Sequence, residues 1–144
     1  MHGISEIDAQ GTQIRNRLRA ISSKPAVVNI SLANTNQLLF HACSHPGTAP
    51  DNDIWVARKR ATVLRWGCST YYMHTKYEGD EQKFADKFVL GVKAGDYAIH
   101  GGGVPIKVEG VEGVVAVVVV SGLKQEEDHM AAVEAMQACI REMK

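Results

Sequence analysis

The stretch Gly113–Gly122, Gly-Val-Val-Ala-Val-Val-Val-Val-Ser-Gly, decides the fold. Its seven residues Val114–Val120 are all apolar, and six are valine. A strand with one wet face alternates apolar and polar residues, and this run does not. It therefore reads as a strand covered on both faces. Valine is stiff at χ1 and packs well on a pleated surface, which argues against a helix. Such a strand needs other strands beside it and helices above and below.

Working outward, four strand signals precede it. Ala26–Leu32 alternates around Val28, Ile30 and Leu32, and Gln37–Cys43 carries Leu38, Leu39 and Phe40. The turn-forming Ala33-Asn34-Thr35-Asn36 between them predicts a hairpin. Tyr97–His100 and Val104–Val108, split by Gly101-Gly102-Gly103, read as two further strands. Helical periodicity covers about Ile4–Ile21, with Ile7, Ile14, Leu18 and Ile21 on one face and Ser5 as N-cap. A second helix starts after the capping residue types Asp51-Asn52-Asp53, with Ile54, Ala57, Ala61 and Leu64 as its apolar stripe and Arg58, Lys59, Arg60 and Arg65 on a basic face. Glu81–Phe88 reads as a short helix. Lys124–Met143 is the last, with His129, Val133, Met136, Ile140 and Met143 in a row. The expected fold is α+β: a five-stranded, mostly antiparallel sheet with helices on both faces, forming a single domain over residues 1–144.

Composition narrows the function. Lys+Arg 16 against Asp+Glu 16 gives no net charge, which argues against a nucleic-acid or anionic-membrane binder. The longest apolar run is too short to span a bilayer, and no secretory h-region follows the N-terminus. Three cysteines, Cys43, Cys68 and Cys139, without C-x-x-C spacing read as reduced thiols of a cytoplasmic protein. No H-E-x-x-H occurs, so a zinc site is not expected.

Four segments could carry chemistry. His100-Gly101-Gly102-Gly103 has the letters of a hydrolase oxyanion loop. The required G-x-S-x-G elbow is absent at Ser121, however, so a glycine turn, or a place where a flat ligand or a partner's backbone comes close, is the better reading. Ser121-Gly122-Leu123-Lys124 opens the last helix, where Glu126, Glu127 and Asp128 complement the dipole and would repel an anion. Lys59, Arg60 or Arg65 could hold a carboxylate such as a haem propionate. An axial imidazole needs no spacing motif, so His100 and His129 stay open as ligands.

The segment Asp51-Asn52-Asp53-Ile54-Trp55-Val56-Ala57-Arg58-Lys59-Arg60-Ala61-Thr62-Val63 resembles the P-D-N-x-x-W-x-x-R-K segment of the GlcG/HbpS-like superfamily, in its small UPF-type branch of bacteria and fungi. Ser69-Thr70-Tyr71-Tyr72-Met73, Tyr97–Gly102, Pro105-Ile106 and the Ser121-Gly122-Leu123 through Asp128-His129 segment are similar to further parts of it. Lys124 and Gly103-Val104 depart from that pattern, and the late start points to a missing N-terminal piece. The resemblance implies a profilin-like α/β/α sandwich that forms homo-oligomers. It implies haem binding or degradation, with relatives that accompany glycolate or corrinoid metabolism. The implied pocket is built from Lys59, Arg60, His100, Gly101, Gly102, Gly103, Ser121 and His129. Haem degradation would require an external reductant, since no flavin or nicotinamide motif is visible. The alternative is a non-enzymatic oligomeric scaffold or protein-interaction module, in which the same motifs are structural.

Overall fold

The computed structural model describes the backbone of residues 3–143, and the side chains of that span other than those of residues 3–6, 135 and 138–143. The expected placements of Ile4, Cys139, Ile140 and Met143 lie outside the described side chains. The elements are α1 (Gly3–Ile21), β1 (Val27–Leu32), β2 (Leu38–Cys43), α2 (Pro50–Trp66), α3 (Thr70–Lys76), α4 (Glu81–Lys87), a 3₁₀ turn (Gly91–Asp96), β3 (Gly103–Ile106), β4 (Ala116–Ser121) and α5 (Gln125–Met143).

The strands form one antiparallel sheet in the order β2-β1-β4-β3. All six residues of β4 are buried, as its unbroken apolar run requires. Val118 and Val120 face one side with Val28, Ile30 and Val104, under Ile14 and Leu18 of α1 and Ala131 and Ala132 of α5. Val117 and Val119 face the other side with Val27, under Val56 and Val63 of α2. Helices thus cover both faces.

The sheet has four strands, not five. Tyr97–His100 does not join the sheet. The Ala98 N–H donates to Thr62 Oγ1 at 3.0 Å and to the Arg58 carbonyl at 3.3 Å, so its backbone is satisfied by α2 rather than by a neighbouring strand. The strand expected over Val104–Val108 ends at Ile106.

Helix α2 buries a different stripe from the one its apolar residues predict. Val56, Lys59, Thr62 and Val63 face inward. Ile54 is 56% and Leu64 37% exposed, and Ala57 is exposed as well. Two polar residues hold this rotation. Thr62 Oγ1 donates to the Ala98 carbonyl at 2.8 Å, and Lys59 is paired as described below. The helix also starts earlier than expected, with Pro50 in its first turn, and Asn52 Oδ1 accepts from the Ala49 N–H at 2.8 Å. Ser5, expected as the cap of α1, lies inside that helix. The aromatic stretch Ser69–Tyr77 is helix α3, capped by Ser69, whose Oγ accepts from the Tyr72 N–H at 3.0 Å. Trp66, Met73, Tyr77, Phe84 and Phe88 pack there into a second, aromatic cluster.

Gly11, unfavourable inside a helix, has a packing reason: a Cβ there would overlap the ring of Phe40 on β2. Gly11→Ala is therefore expected to destabilise the fold by about 1–3 kcal/mol through overpacking, despite alanine's better helix propensity. Denaturant unfolding checks this, and the second change Phe40→Leu should return part of the loss.

Candidate functional site

At its end β4 stays paired with β1 through Ser121, while its regular pairing with β3 ends at Val119. The Val120 N–H donates to the Gly102 carbonyl at 2.9 Å, whereas the Val120 carbonyl accepts from Lys59 Nζ at 3.0 Å. Lys59 Nζ also lies 3.5 Å from Asp128 Oδ2, and the two side chains are 4% and 2% exposed. Lys59 comes from the helix on one face of the sheet and Asp128 from a helix on the other. The pair therefore joins the two helical layers around the end of β4. Asp128 is further held by the N–H of Gly122 at 3.3 Å and of Leu123 at 3.1 Å.

Burial dominates the electrostatics of this pair. It lowers the Lys59 ammonium from its usual range, and the attraction of Asp128 opposes that only in part. It raises the Asp128 carboxyl to about 6, although Lys59 and the two backbone N–H groups favour its charged form. The ionised pair thus costs desolvation energy that its own attraction does not fully offset.

The glycines fit around this pair. A Cβ on Gly102 would overlap the Val120 carbonyl oxygen and stand 2.8 Å from Lys59 Nζ, and the residue has φ 134°, which only glycine adopts freely. The Gly101 N–H donates to Gln125 Oε1 at 3.0 Å, and the Gly103 N–H donates to Thr70 Oγ1 at 3.0 Å. These contacts lock the loop against α3 and α5.

Above the pair lies a cleft of about 450 Å³. One side is the first turns of α2, with Asp51, Asn52 and Trp55; the other is the entry to α5, with Ser121, Gly122, Leu123 and Gln125. Lys59, Asp128 and His100 complete the lining. His100 meets Trp55 edge-on, with ring centroids 4.9 Å apart, and Arg58 lies 4.5 Å from the Trp55 ring centre. His100 Nδ1 sits 3.5 Å from Glu81 Oε1 without hydrogen-bond geometry. Burial lowers the pKa of this imidazole, and Glu81 works in the opposite direction.

Of the residues expected at the site, Lys59, His100 and Ser121 line the cleft; Gly101, Gly102 and Gly103 do not, and pack behind it against Gln125, the Val120 carbonyl with Lys59, and Thr70 with Val63 respectively. Arg60 does not join them. It donates to Ser31 Oγ at 2.8 Å and to the Leu32 carbonyl at 2.9 Å, at the opposite end of β4's length. His129 is stacked on Tyr71, with centroids 4.8 Å apart, and is not in the cleft lining. Its Nδ1 is buried without a hydrogen bond. Trp55, Asn52 and Gln125 were not placed at the site from sequence, Asn52 being read as a capping residue, and Asp128 was read as a helix-dipole residue rather than a buried partner. A usable signal did exist. Lys59 stands three residues after Val56 and four before Val63, on the face those valines bury.

A family model described as "Haem degrading protein HbpS-like" matches residues 5–137, and the chain belongs to that family. Within it, the chain is 42% identical to UPF0303 protein YBR137W of Saccharomyces cerevisiae over 133 residues, covering 92% of this chain and 72% of that protein. It is 44% identical to UPF0303 protein SCO2848 of Streptomyces coelicolor over 119 residues, covering 83% of this chain and 73% of that one. The crystal structure of Ybr137w superposes with a TM-score of 0.88 at 38% identity, covering 100% of this chain and 82% of that one. The crystal structure of a PduOC:heme complex matches in fold at a TM-score of 0.70 and 17% identity, covering 93% and 91% of the two chains.

Removing one member of the buried pair should be worse than removing both. Lys59→Met is expected to cost about 3–5 kcal/mol by stranding the Asp128 charge, whereas Lys59→Met with Asp128→Leu should recover part of that loss, the remainder of about 1–3 kcal/mol being the Val120 carbonyl left without its donor. Urea unfolding of the single and double variants checks the difference.

Proposed function

We propose that this chain is a small-molecule-binding protein whose ligand lies in the cleft between α2 and α5, with haem as the first ligand to test. The observation that carries this reading is the single imidazole of the cleft, His100, set beside the Trp55 ring above a buried charged floor. The cavity volume falls in the range of about 300–1,000 Å³ common for such sites. Family membership and the heme complex of a fold relative support the choice of haem.

The residues fit haem unevenly. His100 is half-exposed at the cavity and has the chemistry of an axial ligand. The propionate cradle is different from the one the sequence implied. Arg60 is turned to β1, and Lys59 is already neutralised by Asp128, which leaves it one N–H rather than a free cation. Haem would bring redox chemistry at iron; this chain's residues would bind it, orient it against Trp55 and limit water at the floor. Turnover would need dioxygen and electrons from an external reductant.

A second reading, assembly into a homo-oligomer, is favoured by the outward apolar stripe of α2. Ile54 and Leu64 are both exposed on that helix, with Ala57 between them. The two readings are compatible.

Haemin titration followed at the Soret band, with particle mass read on the same sample, tests both. A saturable one-to-one shift is expected, weakened at least about tenfold by His100→Ala and left unchanged by Arg60→Ala. Spectral broadening without saturation would remove haem, and a monomer at micromolar concentration would remove the assembly.

A further inference from the structure

We infer that the deep end of the cleft is a carboxylate subsite, so that the ligand enters with a carboxyl group leading and its flat body beside Trp55. This rests on the reading of the cleft as a small-molecule site and names the chemistry of what it takes. The first observation is Lys59 itself. An ammonium group carries three N–H donors. Lys59 uses them on the Val120 carbonyl at 3.0 Å and on Asp128 Oδ2 at 3.5 Å, and no third protein acceptor stands within reach among the described residues. The side chain is 4% exposed and lines the cavity. A buried donor without a partner is costly, and the accessible place for a partner is the cleft.

The second observation is the backbone. Helices α2 and α5, of 17 and 19 residues, both begin at the cleft, at Pro50 and Gln125. Their positive ends converge on it, offset by the first-turn carboxylates Asp51 and Asp53 of α2 and Glu126, Glu127 and Asp128 of α5. The Gly122 and Leu123 N–H groups are already taken by Asp128, so the helix ends contribute field rather than free donors. Asp128 and Asp51 set the limit on charge. Two carboxylates already line this space, one neutralised by Lys59. A monoanion with one oxygen on Lys59 is tolerated there; a phosphate dianion meets the same two carboxylates with twice the charge. The wall beside the subsite is Trp55, whose ring suits a planar body.

Calorimetry on the whole folded chain, with amide shifts followed by NMR, tests this with benzoate, the neutral benzamide and inorganic phosphate. Benzoate should bind saturably and shift the Gly122, Leu123 and Trp55 indole signals. Benzamide should bind at least about tenfold more weakly, and phosphate should not saturate. Lys59→Met with Asp128→Leu, which removes the stranded charge along with the donor, should abolish the preference for benzoate over benzamide. Equal binding of benzoate and benzamide, phosphate binding as tight as benzoate, or a preference that survives the double change overturns the inference. If haemin binds saturably while benzoate does not, the carboxylate subsite falls and the cleft reading stands; if neither binds, both fall.

Discussion

The Val120 carbonyl is the point on which the site depends. A strand in mid-sheet offers its carbonyls to a neighbour, but β3 begins only at Gly103, so at Val120 the partner is an ammonium group from α2. A buried carbonyl must be satisfied, and a buried ammonium must be neutralised. Asp128 meets the second need from the other helical layer. Once Lys59 and Asp128 meet there, Gly102 cannot carry a side chain, and the entry to α5 is bound to Asp128 through Gly122 and Leu123. One unsatisfied backbone group thus organises the glycine loop, two helices and the floor of the cleft.

This explains why the fold was more legible than the site. A doubly covered strand leaves its mark as consecutive residues, and Val114–Val120 announced β4 directly. The hairpin of β1 and β2 was visible for the same reason, as local alternation about a turn. The rotation of α2 was not visible. Ile54, Ala57, Ala61 and Leu64 form a better apolar stripe than Val56, Lys59, Thr62 and Val63. The second stripe is buried because Lys59 and Thr62 have partners far along the chain, at Val120, Asp128 and Ala98. The fifth strand failed for a related reason: Thr62 and Arg58 claim the Ala98 N–H, which alternation alone would have given to a sheet.

The same arrangement separates residues that the chain seems to group. Lys59 and Arg60 are adjacent in sequence, yet one reaches the cleft and the other the far end of β1, because neighbours on a helix point about 100° apart. His100 and His129 likewise part, one beside Trp55 in the cleft and one stacked on Tyr71. The resemblance names chain segments, while which of their side chains share the cleft depends on packing.

The desolvated floor has a pH signature. Asp128 is raised from its usual 3.8 to about 6 when folded, so the folded chain holds that proton more tightly than the unfolded one. Its contribution to stability is present below about pH 4 and is lost as pH rises through 6. The most direct test of the account is the titration of the Asp128 side-chain carboxyl by ¹³C NMR. A midpoint near 6 is predicted, with the Gly122 and Leu123 amide signals moving in step. A midpoint at the ordinary value near 4, with those amides unmoved, would show a solvated carboxylate and contradict a buried Lys59–Asp128 floor.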